Sequence, residues 1–228
     1  MNRWLARLAC LFSLTLHAQS VPAAPPVLPA VAVAQLSRSL DAAKPHARHV
    51  WRDTPPLNAD GTVNGYVEIP RDDRRKWEFD IAVHERTIDR MMPGALGGYP
   101  VNYGFVPQTL SYDGDPFDIL VLGPPLTGGE LVRGVIVGVM RMEDEKGLDS
   151  KAVISLQGRD GRPLHALTSG DQQRIANYFR RYKEHEPGKF SKVSGWGTVE
   201  EGLSFVKTTH AFFLKCRNSV GQACRITP

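Results

Sequence analysis

The stretch DGDPFDILVLG, residues 113–123, places three aspartates within six positions and then continues as an apolar run. Like charges this close repel, and each resists desolvation beside an apolar strand. Cations held among Asp113, Asp115 and Asp118 would relieve both costs. Gly114 and Pro116 fit a turn, and such a bend lets the three carboxylates point at a common centre. A calcium loop of EF-hand type is excluded, because it needs acids at positions 1, 3 and 5 and a glutamate at 12. Here the third aspartate falls at position 6, and Pro124 stands at position 12. A second acidic group, EDEKGLDSK at 143–151, lies between two strand-like segments. If those segments form a hairpin, Asp144 and Asp149 flank its turn. Opposed positions hold Cβ atoms roughly 4.5–5.5 Å apart, close enough to share an ion. Lys151, two residues on, shares a face with Asp149.

All of these candidate ligands are oxygens, and no histidine or cysteine spacing suited to a metal is present. Such a set favours several magnesium ions, with manganese as the substitute, over zinc. Magnesium sites use a few carboxylates together with substrate phosphates. Lys76, Arg90, Lys151 and Lys183 are the cations available to anchor phosphates. Carboxylates for metal beside cations for oxyanions point to phosphoryl chemistry. Neither a Walker loop nor a kinase-type glycine loop occurs, so a bound nucleotide is not indicated.

Strand signals at 65–69, 76–80, 118–122, 131–142 and 151–156 are punctuated by turn residues. Two helical patterns come last. Residues 171–183 carry Ile175, Ala176, Phe179 and Tyr182 on one stripe; residues 199–214 open with the Thr198/Glu201 spacing of a capping box and carry Leu203, Val206, Phe213 and Leu214. Five strands followed by helices predict an α+β, mainly β, fold: a small barrel with two C-terminal helices packed on it. Alternation puts Lys76, Glu78 and Asp80 on one strand face, opposite Trp77 and Phe79; Tyr66 and Glu68 likewise share a face. Such faces read either as solvated outer surfaces or as a polar cavity wall.

With 228 residues, 42% hydrophobic, the chain has the length for one well-cored domain. Its net charge of +4 is spread along the sequence, which argues against a nucleic-acid partner. Residues 1–20 read as a cleavable secretory signal, with Arg3 and Arg7 before an apolar core. Residues 21–50 read as a Pro/Ala-rich linker, with folded material starting near Trp51 and a domain over 51–215. The tail, 216–228, carries Cys216 and Cys224, whose spacing suggests a local disulfide in an exported chain. These features predict an exported protein, periplasmic or secreted, with no membrane attachment once the signal is removed.

The Asp-rich signature resembles that of the soluble family I inorganic pyrophosphatases. So do EIP at 68–70, KWE at 76–78, DR at 89–90, YPVNYGFVPQTL at 99–110, EDEKGLDSK at 143–151 and YKEHEPGKF at 182–190. The resemblance implies hydrolysis of pyrophosphate to two phosphates on a five-stranded OB-like barrel, with water activated between several Mg²⁺ ions. It implies that Asp113, Asp118 and Asp149 hold one ion and that Asp115 and Asp118 face a second. Asp144 and Asp149 take an ion arriving with substrate, Glu78 acts through water, and Glu68 supports the network. Lys76, Arg90, Tyr103, Lys151, Tyr182 and Lys183 hold the two phosphates, and Asp115 takes the proton from the attacking water. It further implies a homo-oligomer, although Asn177 and Arg181 stand where a common bacterial relative has histidine. Two alternatives stay open on the residues: a broader hydrolase of short polyphosphates or other phosphoanhydrides, and a non-catalytic OB-type module binding phosphate or nucleic acid.

Overall fold

The run ILVL, residues 119–122, is apolar at every second and every intervening position because both faces of its strand are covered. Ile119 and Val121 join one apolar cluster with Val67, Val106 and Ile154, whereas Leu120 and Leu122 join another with Tyr99, Met140 and Phe179. The computed structural model describes residues 30–217. In chain order its elements are α1 (Ala30–Ala43), α2 (Val50–Asp53), β1 (Val63–Ile69), β2 (Arg75–Asp80), β3 (Glu85–Met91), β4 (Asn102–Val106), β5 (Phe117–Leu122), β6 (Leu131–Asp144), β7 (Gly147–Leu148), β8 (Lys151–Leu156), α3 (Ser169–Arg181), β9 (Ser191–Gly197) and α4 (Val199–Arg217).

Five strands close into a ring. β1 pairs antiparallel with β4, β4 with β5, β8 with β6 and β6 with β1, while β5 and β8 run parallel. This is the expected mainly β, OB-like architecture, with one change of membership. The predicted strand 76–80 lies outside the ring, paired with β3 in a separate hairpin, and β4 takes its place. Gly104 explains why β4 reads poorly as a strand: a Cβ there would stand 1.8 Å from the Tyr66 carbonyl oxygen, so the two strands meet closely only at glycine. β6 serves the ring and also pairs with β9 and β7, with a bulge at Val137 against β8 and one at Ser194 of β9 against it.

The linker reading of 21–50 needs correction over its described part. Residues 30–43 are helical, and Ala32, Val33, Leu36 and Ala43 are buried, the first three against Phe212, Phe213 and Cys216 of α4. Their spacing is an amphipathic stripe that the surrounding prolines obscure, and Pro45 stops the helix from continuing. Folded structure therefore begins well before Trp51. Between α1 and β1, His46 and His49 hold the tip of the β2–β3 hairpin, and the tip's own His84 holds them in return. His46 and His49 meet the carbonyls of Ala82 and Ile81 at 2.8 and 3.0 Å, and His84 accepts the Val50 N–H at 3.0 Å.

The C-terminal helices are where expected, with β9 inserted between them. Ile175, Ala176, Phe179 and Tyr182 are buried as their stripe requires; on α4, Val206 and Phe213 are buried but Leu214 is exposed. Thr198 does cap Glu201 N–H at 3.2 Å, yet the Glu201 carboxylate turns to Arg141 instead of completing the box. The complete capping box belongs to α3, between Thr168 and Asp171. Among the described residues no helix is long and apolar enough to cross a membrane. The signal-like segment 1–20 and the Cys216–Cys224 pairing lie outside the described residues, wholly or through Cys224.

Candidate active site

Two bulges aim polar side chains from the strands into one cleft. Val67 and Ile69 pair with Gly104 and Tyr103, which leaves Glu68 as the extra residue between them. Lys76 and Trp77 pair with Arg90 and Ile88, leaving Asp89 unpaired. A bulged residue escapes strict alternation and can be redirected. The cleft, of about 370 Å³, is lined by Glu68, Lys76, Glu78, Arg90, Tyr103, Asp113, Asp115, Asp118, Asp144, Asp149, Tyr182 and Lys183. Lys151 lies directly beneath, bonded to two of those carboxylates. All thirteen residues singled out from sequence thus converge. Asp80, expected on the same strand face, instead caps the hairpin turn through Ala82 N–H at 2.8 Å.

The carboxylates are held by lysines. Lys151, its side chain 1% exposed, donates to Asp118 at 2.6 Å and to Asp149 at 2.8 Å. Lys183 donates to Asp144 at 2.7 Å and to both oxygens of Glu145 at 3.0 Å. Lys146 stands 3.5 Å from Asp113 and 3.4 Å from Asp115. Lys76 pairs with Glu78 and Asp89, and Arg90 bridges Asp89 and Glu186. Glu145, Lys146 and Asp89 were not singled out from sequence; the first two look like any charged turn in EDEKGLDSK, and Asp89 lies in a mostly exposed hairpin strand.

Even so, the acids carry more negative charge than the protein's own cations offset. Burial, and then repulsion from Asp113, lifts the Asp115 carboxyl to about 7. Its side chain is about half exposed, so the rise reflects depth within the cleft rather than surface cover. Burial lifts Asp149 to about 7 despite Lys151, and Glu68 to about 8 despite the Phe79 N–H it accepts. Burial disfavours the Lys151 ammonium, but Asp118 and Asp149 outweigh it and hold its pKa well above the ordinary lysine value. Burial likewise raises the Tyr103 and Tyr182 phenols, which therefore remain proton donors.

The expected hairpin forms with a different geometry. Asp144 pairs with Gly147 across a two-residue turn, and Asp149 N–H bonds Met142 O, so the two aspartates are diagonal rather than opposed. Nor do any three acidic, histidine or cysteine side chains among the described residues form a ready metal cage. The loop at 111–116 is tied down by backbone and side-chain bonds. Asp115 N–H donates to Asp113 at 3.1 Å, and the Asp115 carbonyl accepts Ser111 N–H at 2.7 Å. On its far side Asp115 Oδ1 accepts a 2.6 Å hydrogen bond from Gln35 of α1, a contact that no local pattern foretells.

A family model described as inorganic pyrophosphatase matches residues 65–213. The chain belongs to the inorganic pyrophosphatase family. It is 36% identical over 161 residues to the inorganic pyrophosphatase of Sulfolobus acidocaldarius, the match covering 68% of this chain and 92% of that one. To that of Thermus thermophilus it is 41% identical over 153 residues, covering 64% and 86%. The solved structure of an inorganic pyrophosphatase from Coxiella burnetii matches with a TM-score of 0.65 at 37% identity, over 70% of this chain and 99% of that one. One from Thermus thermophilus matches with a TM-score of 0.66 at 35% identity, over 72% and 99%. This family is metal-dependent. Every cleft-lining side chain falls inside the matched span, whereas Gln35, which bonds Asp115, lies before it.

Proposed function

We propose that the chain hydrolyses inorganic pyrophosphate to two phosphates with magnesium, Asp115 accepting the proton of the attacking water. The observation that carries this reading is the cleft itself, where a family signature delivers nine carboxylates and a facing set of lysines, arginine and tyrosines to one place. The donor set fits hard cations: its lining holds carboxylate oxygens and no histidine or cysteine, and three of the acids are raised chiefly by burial, with repulsion from neighbouring acids adding to it. Manganese suits the same donors.

Asp113, Asp115, Asp118, Asp144 and Asp149 would hold the ions, with Glu78 reaching one through water and Glu68 backing the group. Bound there, divalent cations neutralise the substrate's charge and lower the pKa of water. Asp115, on a tied loop lining the cleft, orients the water and takes its proton near neutral pH. The water oxygen bonds to phosphorus as the bridging P–O bond breaks, and the leaving phosphate keeps that electron pair. Lys76, Arg90, Tyr103, Lys151, Tyr182 and Lys183 stabilise charge on the phosphates, where interactions strengthened in the transition state raise the rate. Arg90 Nε is buried without a hydrogen-bond partner among the described residues, a donor left for an oxyanion.

Phosphate release from pyrophosphate, tripolyphosphate and ATP, each with Mg²⁺ and with chelator, tests the reading. Metal-dependent turnover confined to pyrophosphate is expected; equal rates on the longer substrates would replace it with the broader hydrolase, and none at all would leave a binding module. The signal-like N-terminus further supports export to the periplasm or medium, which cell fractionation checks. Self-association is part of the same proposal, and light scattering of the purified chain decides it.

A further inference from the structure

We infer that Gln35 is a positioning residue for Asp115, which makes the N-terminal helix α1 a working part of the catalytic cleft. The inference rests on the proposed role of Asp115 as proton acceptor. Gln35 Nε2 donates to Asp115 Oδ1 at 2.6 Å from 80 positions away in the chain. α1 precedes the matched span, 65–213, so this donor is an addition to the part of the chain that carries the family signature.

The donor is held on a fixed support. Ala32 and Leu36 flank it on the helix and are 0% and 1% exposed, packed with Phe212 and Phe213 of α4. The Asp-rich loop meets that helix at backbone distance. A Cβ built on Gly114 would lie 3.0 Å from the Ala32 Cα and 3.1 Å from the Gln35 Cβ, and Gly114 also has a φ of +93°. Glycine is therefore favoured at 114 by conformation, and a side chain there would press on α1. The helix and the bend fit each other, and the hydrogen bond sits at their junction.

The two oxygens of Asp115 are thereby made unequal. Oδ1 is taken by Gln35 on the helix side, while Oδ2 lies 3.4 Å from Lys146 on the cleft side. The terminal torsion of an aspartate is broad and roughly two-fold, so an unsupported carboxylate would swing. A donor fixed by a packed helix removes that freedom before substrate arrives, and presents Oδ2 to the water. Such preorganisation acts on the chemical step more than on binding.

The test uses the full chain. Gln35→Met keeps the length and apolar stem without the donor, and Gln35→Glu sets a second carboxylate against Asp115. Gln35→Met should lower kcat about tenfold, the scale of one hydrogen bond to a charged group. KM and Mn²⁺ affinity, read by electron paramagnetic resonance, should stay within about twofold and the melting temperature should hold; Gln35→Glu should lose more kcat. On an Asp115→Asn background, Gln35→Met should cost nothing further, because the group it positions is gone. Wild-type kcat in both Gln35 variants, an undiminished loss on the Asp115→Asn background, or a loss that tracks the melting temperature overturns the inference. Full activity of Asp115→Asn itself would instead remove the reading on which it rests.

Discussion

Replacing Lys151 by methionine removes the ammonium that lies 2.6 Å from Asp118 and 2.8 Å from Asp149 while keeping most of its apolar stem. Breaking a buried ion pair from one side costs about 3–5 kcal/mol, because the partner charges are left in a poor solvent. Asp118 and Asp149 are 22% and 19% exposed, so water reaches them and the low end, about 3 kcal/mol, applies. For a domain of this size each kcal/mol moves the melting temperature by about 2–4 °C, which predicts a fall of about 6–12 °C in chelator. The stranded carboxylates should then bind magnesium more tightly than in the wild type. At saturation the gap changes by RT ln of the ratio of the two dissociation constants, so hundredfold tighter binding by the variant returns about 2.7 kcal/mol relative to the wild type and closes most of it. Differential scanning calorimetry of both proteins, with chelator and with saturating Mg²⁺, reads this directly. A variant that melts with the wild type in chelator, or a gap of equal size with and without Mg²⁺, would refute the view that Lys151 balances the charge of the acids in the metal-free protein.

Three further outcomes are expected. Asp115→Asn should lower kcat by about 10²–10⁴-fold, the range for loss of a general base, while Mn²⁺ still binds by calorimetry; an unchanged kcat would move the base elsewhere. Lys183→Ala should lower kcat/KM by about 10²–10³-fold, the scale of one lost transition-state donor, and loss of bound metal instead would make its role structural. Burial lowers the pKa of both His49 and His84, which join the N-terminal segment to the β2–β3 tip as neutral rings. Between the ordinary value of about 6.5 and the lower folded values, the unfolded chain binds more protons, so stability falls as pH drops through that window. His84→Asn tolerates the φ of +58° and can still accept Val50 N–H, so urea unfolding of this variant should depend less on pH between about 7 and 5; an unaltered slope would clear His84.

What was legible in the sequence followed from whether a residue's surroundings are written beside it. β5 and β8 could be read because strands covered on both faces need continuous apolar runs, and the chain supplies them in ILVL at 119–122 and AVI at 152–154. β3 could not, since ERTIDRM is a hairpin strand with mostly exposed residues, and its Asp89 leaves alternation at a bulge. β4 was hidden by Gly104, a residue that weakens strands in general but is demanded here by the Tyr66 carbonyl. The acids of the site announced themselves because crowded carboxylates beside an apolar run need an explanation, and their convergence is what the cleft provides. Their partners gave no such signal. Lys146 is an ordinary lysine in an ordinary turn until the fold folds that turn over Asp113 and Asp115. Gln35 lies in a segment whose prolines suggest a spacer, and it gains meaning only when Ala32 and Leu36 find α4 and carry it to Asp115. Local pattern therefore reports which residues are costly to place, whereas the groups that offset that cost come from elsewhere in the chain and are visible only once the core has chosen their neighbours.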